Sequence, residues 1–532
     1  MGKYDYVIVG GGTAGCILAN RLTQCGKYNV LLLEAGGPPK SPWIKIPAGF
    51  SKLLTNKTYN WRFESCPETV TNNRVISIPR GKGLGGSTLI NGMIYVRGQP
   101  DDYDQWVKQG ALGWGWQDVE PYFKKLENFT EGGAARGKTG PMYLERVKER
   151  FPISDAFLKA AAEDGQSLSR DYNDLEQEGF GYYQVTQRNG QRWSVVDGYL
   201  KPAMTRSNLD LLNNCKVMRL ELDGTSCTGV TYEHEGKRST VAAKREVILC
   251  AGAIQNPQIL ELSGIGNSKV LTKAGIEPKV ELDGVGENYI DHYATRMNWR
   301  VRNTITLNEM SRGVRLAKEV MKYFTRRKGI LTLGTGLVHG FIKTQPQLSS
   351  PDVQFFFVHA SYANAATRVL DQEPGMTIGV TQLRPTSRGS IHIESADINV
   401  PPLIKPNMLA TEEDCQTLID GMKVARRIVE QASMQSFVSH EINPGNEIQT
   451  DAQWLEFARE NGQTIYHPIG TCRMGSDADA VVSPSLQVKG VEKLTIVDAS
   501  VMPSMVSGNT QGAVMMVAEK AADLICARAE ST

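Results

Sequence analysis

The sequence predicts a mixed α/β protein with a parallel βαβ unit at its N-terminal end and an interleaved region of antiparallel strands. Three observations support this fold class. A chain of 532 residues is too long for one small core, which predicts two domains. The stretch from Tyr4 to Gly37 follows the order strand, glycine turn, helix, strand. The runs "PDVQFFFV" (351–358) and "GMTIGVTQLRPTSRGSIHIES" (375–395) have the composition of antiparallel strands.

The composition excludes several classes of protein. Charged residues make up 22% of the chain and the net charge is +2, which indicates a folded protein and disfavours a nucleic-acid binder. The nine cysteines form no C-x-x-C pair, so we predict no metal site and expect a reducing compartment, the cytoplasm. The stretch "MGKYDYVIVGGG" begins a strand and not a signal peptide. No run approaches about 18 apolar residues, so no membrane span is predicted.

The N-terminal unit "YDYVIVGGGTAGCILANRLTQCGKYNVLLLEAGG" carries a dinucleotide-binding pattern. A strand precedes G-x-G-x-x-G at Gly10, Gly12 and Gly15, and a second strand ends at Glu34. Gly10 permits the tight turn, Gly12 lets backbone approach a pyrophosphate, and Gly15 lets helix and strand pack closely. A carboxylate at Glu34 can accept from ribose hydroxyls, which disfavours NADP and leaves FAD and NAD open. The predicted contacts in this Rossmann-like unit are Gly10, Gly12, Thr13, Ala14, Gly15, Glu34 and Ala35.

A second glycine-rich stretch, "RGKGLGGSTLINGMIYVRG" (80–98), repeats this spacing at Gly81, Gly83 and Gly86. No acid-terminated second strand follows at the distance expected in a βαβ unit, so we predict no second dinucleotide fold. We expect instead a glycine-lined loop whose backbone N–H groups contact a flat or anionic group.

Four further sequence segments, together with the two glycine stretches, occur in an order that is typical of one protein family. In "EVILCAGAIQNPQILELSGIG" (246–266) a strand leads to a helix, which Asn256 is expected to cap with Pro257 at the first position. The others are "GVGENYIDH" (284–292), "YHPIGTCRMG" (466–475) and "VDASVMPSMVSGNT" (497–510). With the two glycine stretches, they resemble the glucose–methanol–choline (GMC) flavoprotein oxidoreductases, most closely the bacterial choline-dehydrogenase-like alcohol dehydrogenases. The resemblance runs nearly end to end and implies an FAD-binding domain with an interleaved substrate domain.

Two positions depart from the family pattern. Asn256 stands where the family usually has Ser or Thr, and all three residue types are good helix N-caps. Ile90 stands where some members carry a histidine that tethers FAD covalently. The resemblance therefore implies that this chain binds FAD without a covalent link.

The resemblance also implies a catalytic pair, His467 and Asn509. Oxidation of an alcohol removes a hydride, which flavin N5 accepts, and a proton, for which a neutral imidazole is a suitable base. Pro468 restricts His467 toward extended geometry. Asn509 can donate to the developing alkoxide, and the helix after it can stabilise negative charge on the flavin.

Further residues are expected in the site or near it, and the resemblance implies the flavin and ADP contacts among them. Trp61 and Tyr466 are candidate walls of the substrate pocket. His292 is expected to be structural, and His339, His359 and His392 are expected to be satisfied core residues. The predicted flavin and ADP contacts are Gly86, Ser87, Asn91, Gly92, Met93, Ile94, Val217, Ala251, Asp498, Ala499, Thr510 and Gln511.

The chain is expected to form two domains, each built from stretches that are not continuous in sequence. The FAD-binding domain is assigned residues 1–150, 190–300 and 455–532. The substrate domain is assigned residues 151–189 and 301–454. We find no internal repeat or low-complexity segment in the sequence.

The implied activity is FAD-dependent oxidation of a primary alcohol to an aldehyde, with electrons passed to a quinone or another carrier. An oxidase of the same architecture that uses O₂ is an alternative, and a hydroxynitrile lyase that keeps FAD without redox is another. A nicotinamide-linked flavoprotein reductase would need a second βαβ site. Aliphatic alcohols, aryl alcohols, polyols and choline stay open as substrates, although choline calls for an aromatic and acidic cage. The oligomeric state also stays open.

Residues 300–328 form a basic segment, which contains nine basic residues and only two acidic ones, Glu309 and Glu319. Apolar residues recur at helical spacing at Val314, Ala317, Val320, Met321 and Phe324. This pattern predicts a helix over about 310–328. The helix either packs, solvated, on its own domain or rests on an anionic membrane surface, at the inner face of the membrane and close to quinones.

Overall fold

Two seven-stranded sheets organise the computed structural model, which describes residues 3–364 and 368–531. Residues 1, 2, 365–367 and 532, which the predicted domains include, lie outside the described residues. The strands of the two sheets are Tyr4–Val9 (β1), Val30–Leu33 (β2), Gly179–Tyr182 (β3), Leu209–Leu212 (β4), Cys215–Asp223 (β5), Ser226–His234 (β6), Lys237–Leu249 (β7), Tyr293–Val301 (β8), Val338–Ile342 (β9), Val353–Val358 (β10), Gly375–Gln382 (β11), Val438–Asn443 (β12), Gln463–Thr464 (β13) and Leu494–Ile496 (β14). The longer helices are Thr13–Thr23 (α1), Pro100–Lys108 (α2), Trp116–Leu126 (α3), Pro152–Glu163 (α4), Gly252–Leu262 (α5), Gly313–Arg326 (α6), Glu412–Val429 (α7), Asp451–Asn461 (α8) and Gln511–Ser531 (α9).

The first sheet has the strand order β4-β2-β1-β7-β6-β5, with β14 beside β7. Strands β4, β2, β1, β7 and β14 pair in parallel, and β5, β6 and β7 form an antiparallel meander. The last four residues of β1 and all of β2 are buried, as expected of parallel strands covered on both faces. The predicted N-terminal βαβ unit and the mixed α/β fold class are confirmed.

Helix α9 packs on α1, so the last long helix of the described chain lies against the first. Arg21 on α1 donates from Nε and Nη2 to the carboxylate of Glu519 on α9, at 2.8 and 2.6 Å. The Tyr199 hydroxyl donates to the same carboxylate at 2.6 Å, and Glu519 is fully buried. These bonds satisfy the buried charge and hold the two helices in register.

The second sheet is antiparallel throughout, with the strand order β12-β8-β11-β10-β9-β3 and β13 beside β8. Helix α7 packs on it and comes close at Gly421, where an added Cβ would lie 2.7 Å from Val380. The predicted antiparallel sheet is therefore present. Strands β8 and β13 come largely from ranges assigned to the FAD-binding domain, so the division into domains stays a prediction.

Helix α6 forms within the predicted basic segment and turns its apolar stripe outward. Val314, Met321 and Phe324 are 73%, 62% and 60% exposed, whereas Tyr323 is buried against the rest of the molecule. The stripe therefore does not pack on its own domain. Within the part of the chain that the structure describes, no helix combines the length and the hydropathy needed to cross a membrane.

Candidate active site

One cavity brings together the segments singled out in the sequence. Every predicted site residue lines it except Gly15. Gly15 instead packs beneath the first glycine turn, where an added Cβ would lie 1.9 Å from the Gly10 carbonyl oxygen. Trp61 and Tyr466, the predicted pocket walls, line the same cavity as His467 and Asn509.

The first glycine turn leaves room for a ligand at the start of α1. Gly10 has φ of +102°, which glycine adopts without strain. Gly12 has φ of −78° and lines the cavity, and a Cβ added there would meet no protein atom closer than 3.9 Å. No side chain caps the α1 N-terminus. Its N–H groups and dipole therefore suit a phosphate.

Glu34 ties three glycine-containing segments together. Its carboxylate accepts from the backbone N–H groups of Gly11, Gly36 and Gly83 at 2.8, 2.7 and 3.0 Å. Burial raises the pKa of Glu34, and the three N–H donors oppose that rise. A carboxylate has about four lone-pair sites. About one lone-pair site remains for the predicted ribose contact. The role of Glu34 in joining the three glycine segments was not predicted from the sequence.

The second glycine stretch packs directly on the first. Gly85 donates its N–H to the Gly11 carbonyl at 2.7 Å, and an added Cβ on Gly86 would lie 2.8 Å from the Gly12 Cα. Gly83, at φ of +125°, donates to Glu34. One anionic group that this loop contacts is thus the Glu34 carboxylate, while the predicted contact of Gly86 and Ser87 with the flavin stays a prediction.

A buried arginine, Arg192, holds the end of this loop, although no motif marks it in the sequence. Arg192 donates from Nη1 to the Asn91 Oδ1 at 2.6 Å and from Nη2 to the Asn91 carbonyl at 2.8 Å. Asn91 in turn donates to Gln511 Oε1 at 2.5 Å. The Gln511 side chain lines the cavity, and its buried Nε2 has no hydrogen-bond partner in the part of the chain that the structure describes. This amide N–H group can therefore donate to an acceptor atom of a ligand in the cavity.

The helix after β7 begins earlier than predicted. Helix α5 starts at Gly252, so Asn256 and Pro257 lie inside it and Asn256 is not its N-cap. The Asn256 amide accepts from the Ala251 N–H at 2.9 Å and donates to Asp498 and Ser500 at 2.8 and 3.0 Å. These distant partners explain the correction, because Asn256 joins α5 to the Asp498 loop.

The turn around His467 is strained and firmly held. Tyr466 has φ of +74°, an arrangement that costs a non-glycine residue about 1–3 kcal/mol. Arg80 donates to the Tyr466 carbonyl at 2.8 Å. The His467 N–H donates to Asp291 at 2.8 Å, and the Thr464 hydroxyl donates to the other oxygen of Asp291 at 2.5 Å. The backbone of His467 is therefore fixed from two sides.

His292, expected to be only structural, contacts the His467 ring directly. Their Nδ1 atoms are 2.9 Å apart, and His292 Nε2 lies 3.0 Å from the Leu383 carbonyl. A carbonyl only accepts, so His292 carries its proton on Nε2. Burial lowers the pKa of His292 to about 4, so its ring is neutral and its Nδ1 accepts. His467 must then donate from Nδ1, which leaves its Nε2 without a proton.

The unprotonated Nε2 of His467 faces Asn509. The Asn509 Nδ2 lies 3.2 Å from it, and Gln354 donates to the Asn509 Oδ1 at 3.4 Å. Burial holds the pKa of His467 well below its ordinary value, and the neighbouring His292 and Arg80 lower it further. A neutral base and an amide donor thus stand side by side at the cavity wall.

The remaining histidines lie apart from this pair. His339 and His359 are buried, but among the described residues neither ring nitrogen of His359 and only one of His339 has a hydrogen-bond partner. The expectation of a satisfied residue is therefore wrong for His359 and holds only in part for His339. His392 contacts Glu261 and Glu287 at 2.7 and 3.0 Å, and these carboxylates raise its pKa to about 9 against the lowering effect of burial. Among the described residues, no group of three His, Cys, Asp or Glu side chains could hold a metal ion.

Known proteins are similar to this chain over nearly its whole length. Residues 4–294 and 385–518 match the family models described as GMC oxidoreductase. Human mitochondrial choline dehydrogenase is 40% identical over 98% of this chain and 90% of its own length. The alcohol dehydrogenase (acceptor) of Pseudomonas putida is 38% identical over 98% and 95%. A solved formate oxidase of Aspergillus oryzae, studied for modification of its FAD, is 27% identical over the whole of both chains with a TM-score of 0.93.

Fold and site together define an oxidoreductase built on a dinucleotide-binding domain. The chain belongs to the GMC oxidoreductase family. Its cofactor is FAD, and the cavity fits that group. The uncapped α1 N-terminus and the open face of Gly12 suit the pyrophosphate, and the unpartnered Gln511 Nε2 suits an acceptor atom of the flavin.

Gly12 offers a test of this fit. Alanine at Gly12 suits the local φ and meets no protein atom, so Gly12→Ala is expected to fold. Its methyl group would project toward the space that a pyrophosphate needs, so flavin content should fall at least about 10-fold. Flavin absorbance per protein and thermal unfolding measure the two effects. In Gly15→Ala, by contrast, the clash with Gly10 should lower the melting temperature of the apoprotein itself. A fully loaded Gly12→Ala protein would contradict the assignment.

Proposed function

We propose that this chain oxidises a primary alcohol to an aldehyde with FAD and passes the electrons to a quinone or another acceptor. The supporting observation is the pair formed by His467 Nε2 and Asn509 Nδ2, 3.2 Å apart in the cavity that the glycine turn also lines. The relatives named choline dehydrogenase and alcohol dehydrogenase (acceptor) support the same chemistry.

In the proposed reaction His467 is the base. Its Nε2 accepts the hydroxyl proton, and its low pKa keeps the ring neutral beforehand. Asn509 donates to the alcohol oxygen and orients it. FAD, when bound, supplies a two-electron acceptor at N5 for the hydride that leaves the carbinol carbon. The proton stays with the pair His467 and His292 until it reaches solvent.

The binding of FAD is proposed to be non-covalent. The position of the family's tethering histidine is Ile90, a buried residue of the cavity wall with no nucleophilic atom. Flavin should therefore appear entirely in the supernatant after acid precipitation of the holoenzyme.

The experiment that tests the function is anaerobic reduction of the bound flavin by a panel of alcohols. Bleaching of the oxidised flavin spectrum by a primary alcohol supports the proposal, and a spectrum that stays oxidised with turnover of a cyanohydrin would identify a lyase. Repeating the reaction under air separates the two redox alternatives, because an oxidase releases hydrogen peroxide stoichiometrically. A dehydrogenase would need an added quinone or dye for continuous turnover.

We further propose that helix α6 rests on an anionic membrane surface, where a quinone acceptor would be at hand. The exposed side chains of Val314, Met321 and Phe324 form one stripe at spacings of a helix face. The same helix and its C-terminal flank carry Arg315, Lys318 and the run Arg326 to Lys328. A basic helix with an exposed apolar stripe has the chemistry of an interfacial helix.

The membrane proposal predicts that the holoenzyme pellets with vesicles containing phosphatidylglycerol at low salt and not with neutral phosphatidylcholine vesicles. Replacing Val314, Met321 and Phe324 with serine should reduce the pelleted fraction several-fold. A matched control replaces three apolar residues of similar exposure elsewhere, Leu112, Leu168 and Leu175, and should pellet like the native chain. Equal loss in both triple variants would contradict a specific role of α6.

A further inference from the structure

Among the described residues, three arginines line the cavity that holds His467. Arg80 is bonded to the Tyr466 carbonyl, and the other two, Arg296 and Arg368, take no part in the reaction proposed above. Arg296, on β8, is 6% exposed, and its Nε has no hydrogen-bond partner among the described residues. Its Cζ lies 6.0 Å from the centre of the Phe356 ring, another part of the cavity wall. Arg368 also lines the cavity, and its buried Nε is likewise unpartnered.

The polar groups around Arg296 are neutral or of like charge. With its side-chain oxygen turned toward the guanidinium, Gln463 accepts from Nη2 at 2.9 Å and also from Nη1. Burial, and to a smaller extent the charge of Arg368, lower the pKa of Arg296 to about 9. Arg296 therefore stays protonated at neutral pH. Within residues 3–364 and 368–531, no carboxylate forms an ion pair with either arginine.

The acidic residues of the cavity wall, Glu34 and Asp498, already accept hydrogen bonds from other groups of the protein. Glu34 accepts three backbone N–H groups of the glycine segments. Asp498 accepts from the Gly252 N–H at 2.7 Å and from Asn256 and Ser500. The substrate part of the cavity thus combines the buried guanidinium of Arg296 and the half-buried Arg368 with no uncommitted carboxylate among the described residues. A buried cation without a counter-ion is costly, and a ligand can remove that cost.

We propose that the alcohol substrate carries a negatively charged group, a carboxylate in the simplest case, and that Arg296 and Arg368 bind it. The inference rests on the proposed alcohol oxidation and adds the substrate class. Guanidinium groups bind carboxylates through paired, charge-assisted hydrogen bonds. A quaternary ammonium such as choline would instead meet two like charges, and the Trp61 ring that could cradle it already faces Lys82 at 4.6 Å.

The test compares three primary alcohols of similar size and different charge with the holoenzyme: γ-hydroxybutyrate, choline and the uncharged carbon isostere of choline. The measured quantity is the second-order rate constant of anaerobic flavin reduction. γ-Hydroxybutyrate should exceed choline by about 10- to 100-fold, the effect of one or two charge-assisted hydrogen bonds. Butyrate, which cannot react, should perturb the flavin spectrum with a saturable dissociation constant.

Replacing the arginines tests whether the preference for an anionic alcohol depends on them. Arg296→Gln should lower the rate constant for γ-hydroxybutyrate about 10- to 100-fold and weaken butyrate binding equally, while the uncharged alcohol changes only a few-fold. Arg302→Gln removes an exposed arginine just beyond the same strand and should leave both values unchanged. If Arg296→Gln retains no flavin, Arg368→Gln decides the matter with the same readouts.

The outcomes separate the inference from the proposed function. If choline or the uncharged alcohol reduces the native flavin faster than γ-hydroxybutyrate, or if butyrate binds equally to the native chain and the variants, the anionic substrate class is wrong and alcohol oxidation stands. If no alcohol of any charge reduces the flavin, the proposed function itself is wrong.

Discussion

Replacement of His467 with alanine is expected to lower the rate constant of anaerobic flavin reduction by about 10²–10⁴-fold, the usual contribution of a positioned general base. The Nε2 of this ring is the unprotonated nitrogen beside Asn509, so its loss leaves the alcohol proton without an acceptor. Flavin content should stay near native, because the backbone N–H of residue 467 still donates to Asp291. Stopped-flow absorbance of the flavin measures the rate directly.

His440→Ala is the matched control, since His440 is exposed on β12 and lies outside the cavity lining. It should reduce its flavin at the native rate.

The pH dependence of the native chain adds a second check. Only neutral His467 accepts a proton, and burial with its neighbours holds the pKa of His467 well below 6.5. The reduction rate should therefore be flat above about pH 6.5 and fall only at lower pH. A native rate in His467→Ala would refute the base assignment.

Replacement of His292 is expected to have the next largest effect, although this residue does not line the cavity. Its Nδ1 accepts from His467 Nδ1 and so keeps the reactive Nε2 free of a proton. In His292→Ala the His467 ring can take either tautomer and water can enter. The reduction rate should fall by about 10–10²-fold. The pKa of His467 should rise toward its ordinary value, which moves the acid limb of the pH profile upward.

Two conservative variants distinguish this positioning role from simple packing. In His292→Asn the amide oxygen takes the place of Nδ1, so it can still accept from His467 and should restore much of the rate. In His292→Gln the polar end reaches the place of Nε2, next to the Leu383 carbonyl, and the acceptor for His467 is lost. Equal activity and equal pH profiles in the two variants would show that only volume matters at His292.

The parts of the molecule that were predicted correctly depend on short-range pattern. The βαβ unit follows from a strand, a glycine turn and a helix that are adjacent in the chain, and β1 and β2 lie directly before the glycine turn and before Glu34, as expected. The antiparallel sheet likewise follows from the composition of its strands. In both cases the residues that specify each element lie within it.

The parts that were missed depend on partners far apart in sequence. Asn256 satisfies the local rule for an N-cap, yet its amide bonds to Asp498 and Ser500, more than 240 residues away. His292 meets His467 across 175 positions. Arg296 has no motif around it at all, and only its place on β8 brings it to the cavity. A single sequence contains no signal for such pairings.

The first sheet also constrains when the protein can be completed during synthesis. Strand β1 pairs with β7, β7 pairs with β14, and α1 is clamped to α9 through Arg21 and Glu519. At about 5–20 residues per second, translation takes roughly 25–100 s to progress from β1 to β14. During that interval the nascent N-terminal segment has unpaired strand edges and an uncovered apolar helix face. Chaperone capture of the growing chain should therefore begin early and persist until β14 and α9 have emerged.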